Sequence, residues 1–447
     1  MLDYQLLFAV FSGIVILLGL ILYFRMQAFV ALLIASIAVG IIAGMDPMNI
    51  MQTMQDGMGK TLGFVATVVG LGAIFGAILE HSGGAEALAK YLLHISGEKR
   101  ASWALMLTGF FIAIPVFFDV AFIILVPIIY TLQRETKKSL LFYGIPLLAG
   151  LAVTHAFVPP TPGPVAVADI LNADLGLVIL FGIVAGLPAA IVSGPLFGNY
   201  IGKKIFIAAP PMEEVKLETD NYPGVGMIVS IIGIPIILIV FNTVLTGPIF
   251  PGDFISPTVK SWVQMIGHPF TALILANLIA WYLLGIKRGI SKETLLGITS
   301  KSMAPAGIII LLTGAGGVFK EMLVNTGTGD MLANYFSSLG ISVFFLAYLT
   351  AALVRILQGS ATVAMITAAG LTAPLLIGNI SEIDKALLVI AIASGASILS
   401  HVNDSGFWLV SKYLGLNEKQ TFKSWTVMTT ILSLAGFFCV LILSAIF

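Results

Sequence analysis

The stretch Thr154-His-Ala-Phe-Val-Pro-Pro-Thr-Pro-Gly-Pro164 continues an apolar run that is long enough to cross a bilayer. Four prolines fall within six positions (159, 160, 162 and 164), and proline removes a backbone donor and clashes with the preceding helical turn. The sequence therefore predicts a broken helix over 139–175 that unwinds inside the membrane. Its freed backbone groups are tolerated there only if protein buries them or if they line a wet cavity.

The composition around this stretch excludes most classes of soluble protein. Of the 447 residues, 58% are hydrophobic and only 10% are charged, whereas soluble domains carry roughly 25% charged residues. Lys plus Arg number 22 and Asp plus Glu number 22, so no net charge attracts a nucleic acid. We therefore predict an all-α polytopic membrane protein whose surroundings are the lipid bilayer. Its five tryptophans are expected mostly at the membrane–water interfaces.

Two further apolar stretches, 102–130 and 341–379, are too long for single spans, and each has a break in its middle. The breaks lie at Pro115–Asp119 and at Gln358–Ser360. If the first stretch crossed the membrane once, the basic residues before it and after it would lie on opposite sides of the membrane. Lys and Arg instead concentrate on the cytoplasmic side. Both stretches are therefore predicted to be re-entrant hairpins.

The two halves of the chain resemble each other. HSGGAEALAKY at 81–91 aligns with NTGTGDMLANY at 325–335, with an offset of 244 residues and four identities in eleven positions. A second broken helix is predicted over 386–415, where His401-Val-Asn-Asp-Ser-Gly406 corresponds to the first break. We expect an odd number of crossings between the repeats, which turns the second copy upside down. Inverted repeats with broken helices are typical of secondary transporters, whose substrate site lies near the midplane.

This pattern predicts five regions along the chain. They are N-terminal scaffold helices (1–60), a first inverted repeat (61–200), a cytoplasmic linker (201–223), further scaffold helices (224–300), and a second inverted repeat with the C-terminal helix (301–447).

Ionisable side chains within membrane spans are costly and are therefore candidates for function. Asp119, at the first hairpin tip, is either a proton carrier or a helix cap. His155 and His401 hold matching repeat positions, as substrate ligands or as ordinary buried imidazoles. Arg355 either binds hairpin carbonyls or neutralises a substrate carboxylate or Asp119. Asp404 either caps the unwound segment or takes part in proton coupling.

Small and hydroxyl-bearing residues complete the predicted site. They suit hydrogen bonds to a polyol, although Gly and Ser in membrane helices are also packing devices. Half-helix N-termini near Gly163 and Ser360 are expected to hold a substrate carboxylate. The predicted substrate-binding residues are Ser82, Gly83, His155, Thr161, Gly163, Ser360, Thr362, His401 and Asn403.

The sequence carries no His-Glu-x-x-His, Gly-x-Ser-x-Gly or Walker A motif. Its single cysteine cannot form a cysteine-based metal site. We therefore expect no enzymatic activity, no cofactor and no metal, and we expect an ion gradient to supply the energy for transport.

The segments THAFVPPTPGPVA (154–166), LQGSATVA (357–364) and SHVNDSGFW (400–408) resemble the gluconate permease family of gluconate:proton symporters. The resemblance implies proton-driven uptake of gluconate or a related sugar acid across a bacterial inner (plasma) membrane. It also implies an elevator-type fold, in which hairpins and broken helices slide against a static scaffold. The chain departs from the family pattern at Thr161, where histidine is usual, and at Asp119, where glutamate is common.

The expected partners are a small organic anion and protons, and analogy with elevator scaffolds suggests a homodimer. One alternative is a sodium-coupled carrier of carboxylates, hydroxy acids or D-serine, which would require sodium for uptake at fixed pH. Another is an ion channel or a cation/proton antiporter, which would show current or cation exchange without an organic substrate.

Overall fold

The computed structural model describes residues 4–97, 100–209, 222–246, 256–327, 342–376, 380–402 and 404–447. All regular secondary structure within these ranges is helical. Eight helical segments among them are long and apolar enough to cross a membrane. The predicted all-α polytopic class is confirmed.

Ten helices precede the linker and ten follow it within the described residues. The first ten are α1 (Tyr4–Leu22), α2 (Ala28–Ile42), α3 (Pro47–His81), α4 (Gly84–Ser96), α5 (Ala101–Ile112), α6 (Phe118–Thr136), α7 (Leu140–Phe157), α8 (Pro162–Leu171), α9 (Leu175–Ile191) and α10 (Phe197–Lys204). The second ten are α11 (Val225–Thr246), α12 (Pro257–Ile266), α13 (Pro269–Ala280), α14 (Lys292–Asn325), α15 (Val343–Gln358), α16 (Ala361–Thr372), α17 (Glu382–Ala396), α18 (Ser405–Tyr413), α19 (Glu418–Thr421) and α20 (Val427–Ile446).

The predicted hairpins and broken helices are present as pairs of helices. Residues 113–117 separate α5 from α6, and residues 359–360 separate α15 from α16. The broken helices are interrupted at 158–161, between α7 and α8, and at 397–404, between α17 and α18. Pro162 is the first residue of α8. An N–H group at this position has no partner within the helix, so proline costs no helical hydrogen bond there.

Several spans differ in length from the apolar runs that predicted them. The helix α3 begins at Pro47 rather than near 61, and α14 begins at Lys292 rather than near 303. Hydropathy marks only the part of a helix inside hydrocarbon, about 30 Å thick, whereas the 35 residues of α3 extend about 52 Å. The run 263–284 is not one helix, because α12 ends at Ile266 and α13 begins at Pro269.

Parts of several predicted segments lie outside the described residues. They include 328–335 of the second copy of the repeated motif, 210–221 of the cytoplasmic linker, and 341 and 377–379 of the second hairpin. The division of the chain into scaffold and moving repeats stays a prediction.

The helices α3 and α14 hold the same place in the two repeats and pack against each other in opposite directions. Near the start of α3, Thr53 Oγ1 accepts a hydrogen bond of 3.0 Å from Asn325 Nδ2 at the end of α14. Further along α3, Lys60 Nζ lies 2.7 Å from Glu321 Oε1, nearer the middle of α14. Because equivalent helices run antiparallel, the second repeat is inverted relative to the first.

Each hairpin packs closely on the broken helix of its own repeat at a glycine of that broken helix. A Cβ on Gly150 of α7 would lie 2.1 Å from the Met106 carbonyl oxygen of α5. A Cβ on Gly395 of α17, 245 residues later, would lie 2.2 Å from the Tyr348 carbonyl oxygen of α15. Backbone oxygens within packed helices cannot move aside as a flexible side chain can. The two contacts therefore require glycine, and they hold each hairpin beside its broken helix.

We expect Gly150→Ala and Gly395→Ala each to lower the midpoint of thermal unfolding of the purified protein in detergent. Overpacking of this kind costs about 1–3 kcal/mol. Gly19→Ala is the matched control, because a Cβ on Gly19 would have no heavy atom within 4 Å. Intrinsic fluorescence during heating measures the midpoints. Equal midpoints for Gly150→Ala and Gly19→Ala would contradict the close approach of α5 and α7.

Candidate functional site

A cavity of about 590 Å³ lies where the two hairpin tips and the two broken helices meet. Both halves of the sequence therefore contribute to one shared site, as the inverted repeat predicts. The wall is completed by Pro305 and Ile309 of α14, and by the start of the last span. The lining residues from the tips and broken helices are Phe117, Phe118, Asp119, Val120, Ala152, His155, Ala156, Arg355, Gln358, Gly359, Ser360, Ala361, Thr362, Ser397, Asp404, Ser405 and Gly406.

Three helices, α6, α16 and α18, begin at the wall of this cavity. The first turn of a helix presents unpaired N–H groups and a partial positive charge, which together bind anions. Two side chains cap these ends: Ser360 Oγ accepts from Val363 N at 3.3 Å, and Asp404 Oδ1 accepts from Gly406 N at 3.1 Å. The backbone therefore gives the cavity a preference for negatively charged ligands.

The ion pair between Arg355 and Asp404 joins the second hairpin to the second break. The Arg355 side chain is 5% exposed, that of Asp404 is 12% exposed, and Nη2 donates to Oδ2 at 2.5 Å. Arg355 Nη1 donates to the carbonyl of Gly359, which ends α15 with a φ of +91°. Arg355 thus binds a hairpin carbonyl and neutralises a carboxylate at once. Its carboxylate partner is Asp404 and not Asp119, the alternative considered from the sequence.

Asp119 occupies the second position of α6 and is exposed at the cavity wall. A carboxylate in the first turn is favoured by the helix dipole. The N-cap position itself belongs to Phe117. Within the described part of the chain, no hydrogen bond holds the Asp119 carboxylate, so the capping interpretation is not realised there.

The two histidines at matching repeat positions have different surroundings. His155 is in the last turn of α7 and lines the cavity, with its ring centroid 6.4 Å from that of Phe117. Its Nδ1 is buried and has no hydrogen-bond partner among the residues the structure covers. His401 instead forms a 2.8 Å hydrogen bond through Nε2 with the carbonyl oxygen of Ile356. His155 therefore lines the cavity with one ring nitrogen buried and unpartnered among the described residues, whereas His401 ties the second break to α15.

The remaining hydroxyl and glycine candidates divide between the cavity and the packing around it. Ser360 and Thr362 line the cavity. Thr161 is buried, and its hydroxyl donates to the Val158 carbonyl at 2.6 Å inside the first break. Gly163 faces α16, where a Cβ would lie 3.0 Å from the Met365 sulfur.

Two predicted residues lie at another place in the fold. Ser82 and Gly83 form the corner between α3 and α4, where Arg288 Nη1 donates to the Ser82 carbonyl at 2.6 Å. They are not among the described residues that line the cavity. Asn403 lies outside the described residues.

Sequence reasoning missed the contribution of the last span. Trp425 is 3% exposed and lines the cavity together with Thr429, although the tryptophans were expected mostly at the interfaces. It belongs to a π-helical turn, Phe422–Thr426, a distortion that is frequent at functional sites. The cluster Ser424-Trp-Thr426 followed by Thr429 was the available signal, because polar residues one turn apart on an apolar span form a polar stripe.

The chain is similar to known membrane transporters over almost its whole length. The sequence profile described as "GntP family permease" matches residues 4–446. The "Gluconate permease" of Pseudomonas aeruginosa is 40% identical over 99% of this chain and 98% of its own length. The "Low-affinity gluconate transporter" of Escherichia coli K12 is 40% identical over 95% of each chain.

A solved structure shares the fold at much lower sequence identity. The crystal structure of the YdaH transporter of Alcanivorax borkumensis superposes with a TM-score of 0.67 at 13% identity, covering 94% of this chain and 98% of that one. The fold is therefore that of an inverted-repeat transporter with hairpins and broken helices. Because the profile match extends over nearly every residue, the chain belongs to the GntP permease family of multi-pass membrane transporters.

Proposed function

We propose that this protein imports gluconate or a related sugar acid by proton symport across the bacterial inner membrane. The observation that carries the proposal is the convergence of three helix N-termini and Arg355 on one cavity. Its volume of about 590 Å³ lies within the range of roughly 300–1,000 Å³ that small-molecule sites occupy. The relatives named for gluconate support this substrate class.

The substrate carboxylate is proposed to lie at the second hairpin tip. The helix α16 begins there, so its first N–H groups lie at the tip. Ser360 and Thr362 line the same wall of the cavity. Arg355 also lines the cavity and brings a positive charge to this side of it. The hydroxyls of the sugar acid would then reach His155 and Thr429 across the cavity.

Asp119 is proposed to carry the proton. A sugar-acid anion moving inward alone works against an inside-negative potential at about 2.3 kcal/mol per charge per 100 mV. A proton bound on the same passage cancels that charge. Asp119 is exposed to the cavity without a partner among the described residues, whereas Asp404 is held by Arg355.

We propose an elevator mechanism in which the hairpins and broken helices move as one body. Within each repeat, a glycine crossing at Gly150 or Gly395 joins the hairpin to the broken helix. Between the repeats, Gly163 at the start of α8 packs against Met365 of α16. The helices near 5–44 and 224–284 would form the static part. By analogy with other elevator scaffolds, the static parts of two chains are proposed to associate as a homodimer.

In proteoliposomes, we expect gluconate to accumulate uphill when the outside is more acidic than the inside. Asp119→Asn should abolish this accumulation, because the amide cannot release and rebind a proton, while substrate-induced thermal stabilisation persists. Asp56→Asn is the matched control: Asp56 is exposed on α3 and accepts only a surface hydrogen bond from Gln52 at 2.9 Å. Radiolabelled gluconate measures the uptake by Asp119→Asn and by Asp56→Asn.

The same vesicles separate the alternatives. Uphill uptake by Asp119→Asn would remove Asp119 from the scheme, and uptake indifferent to the pH gradient would remove the proton. Uptake that requires sodium at equal pH on both sides would favour the sodium-coupled carrier. Current without organic substrate would indicate a channel.

We expect Arg355→Gln to abolish gluconate binding and to destabilise the protein. Removing one partner of a buried pair leaves the other charge uncompensated, at about 3–5 kcal/mol. The double variant Arg355→Gln/Asp404→Asn should recover much of the stability without recovering binding. Lys385→Gln is the control, because Lys385 and Glu382 are 23% and 42% exposed, far more than Arg355 and Asp404. Exposed ion pairs contribute about 0–1 kcal/mol. Gluconate binding by the double variant would show that Arg355 does not receive the carboxylate.

A further inference from the structure

A chain of hydrogen bonds links the last span to the ion pair of the cavity. The indole Nε1 of Trp425 donates to Ser400 Oγ at 2.6 Å, and Ser400 Oγ donates to Asp404 Oδ2. The same Oδ2 receives Nη2 of Arg355. Trp425 thus acts on Arg355 through two intervening side chains, although it lies in neither a hairpin nor a broken helix.

We propose that Trp425 is a positioning residue for the anion site: its indole N–H orients Ser400 so that Asp404 is held on Arg355. This inference rests on the proposed function of the cavity as a sugar-acid site. On this proposal, the π-helical turn of the last span helps to position the Arg355 guanidinium that meets the substrate carboxylate.

The chemistry of Trp425, Ser400 and Asp404 determines which group donates and which accepts in each of these hydrogen bonds. An indole N–H donates and cannot accept, so Ser400 must present a lone pair to Trp425. The single hydroxyl proton of Ser400 is then free for Asp404, which as a carboxylate only accepts. Without the indole, the hydroxyl could rotate toward other acceptors. The indole therefore selects the rotamer in which Ser400 binds the carboxylate.

The last span also holds the backbone of Ser400. The Ser400 N–H donates to Thr429 Oγ1 at 3.2 Å, and Thr426 Oγ1 donates to the Ser400 carbonyl at 2.5 Å. Ser400 lies between α17 and α18 and is not helical, so its peptide groups lack helical partners of their own. Their position is consequently determined by the helix that they pack against.

A second contact connects Trp425 with the other side of the cavity. Its ring lies 5.6 Å from that of Phe118, centroid to centroid. Phe118 is the residue before Asp119 at the first hairpin tip. Trp425 therefore touches the element that carries the proposed proton site while it orients the ion pair of the proposed carboxylate site.

The test compares Trp425→Phe, Ser400→Ala and their double variant in gluconate uptake. Trp425→Phe keeps an aromatic ring beside Phe118 but removes the N–H together with part of the indole, so KM should rise about five- to tenfold while the maximal rate changes less than twofold. The control Trp408→Phe carries the same loss of ring atoms. The double variant should match Ser400→Ala, because both substitutions cut the same link. Independent multiplication of the two effects on KM would overturn the proposal.

Trp408→Phe is the matched control. Its indole Nε1 also donates to the second break, to the Val402 carbonyl at 2.8 Å, but this bond does not lead to Asp404. We expect its KM to stay within twofold of the wild type. An equal rise in KM for Trp408→Phe and Trp425→Phe would reduce the role of Trp425 to general support of the break and would overturn the proposal.

A measurement without substrate separates this inference from the proposed function. The thermal midpoints of Trp425→Phe, Asp404→Asn and their double variant give the coupling between the two residues. Non-additive midpoints support the orientation of Asp404 by Trp425, and additive midpoints overturn it, whether or not gluconate is the substrate. A wild-type protein that does not take up gluconate would overturn the proposed function alone.

Discussion

The structure depends on one constraint: backbone polar groups within a membrane must find partners other than lipid. Such groups are left free in both repeats, by the prolines at 159, 160, 162 and 164 and by the nonhelical residues 397–402 and 404. Hairpin tips and the last span cover these breaks, and the Ser400 peptide shows how a neighbouring helix supplies the missing bonds. The cavity exists because two unwound segments are brought together within protein rather than exposed to hydrocarbon.

The two repeats share an architecture but not a chemistry. His155 lines the cavity, and its buried Nδ1 has no partner among the described residues, while its counterpart His401 is bound to Ile356. The ion pair has both members in the second repeat. The carboxylate of Asp119, which has no hydrogen-bond partner in the described part of the chain, belongs to the first. Duplication thus supplies a symmetrical arrangement of helices. In the proposed function, the second repeat binds the substrate carboxylate and the first repeat carries the proton.

Much of this frame was predictable because its signals are local. Proline clusters break helices wherever they occur, and hydropathy marks the spans that flank them. The intramembrane ionisable residues could be named for the same reason, since a charged residue within an apolar run is visible in the sequence itself. The lengths of α3 and α14 could not be predicted, because the part of a helix that continues beyond the hydrocarbon layer has no hydropathy signal. Trp425 was also missed, because a tryptophan near the start of an apolar span is typical of an interfacial anchor, and only the polar residues Ser424, Thr426 and Thr429 around it indicate otherwise.

The sequence by itself determined the helical membrane class, the inverted duplication, the hairpins, the breaks and the short set of charged residues, because each follows from chain chemistry over a few turns. Only the tertiary structure decided which of those residues share a cavity, that Arg355 binds Asp404 49 positions away, and that Ser82 and Gly83 lie at a corner instead. The physical reason is that pairing energies depend on distances in space, and helix packing sets those distances between segments that are far apart along the chain.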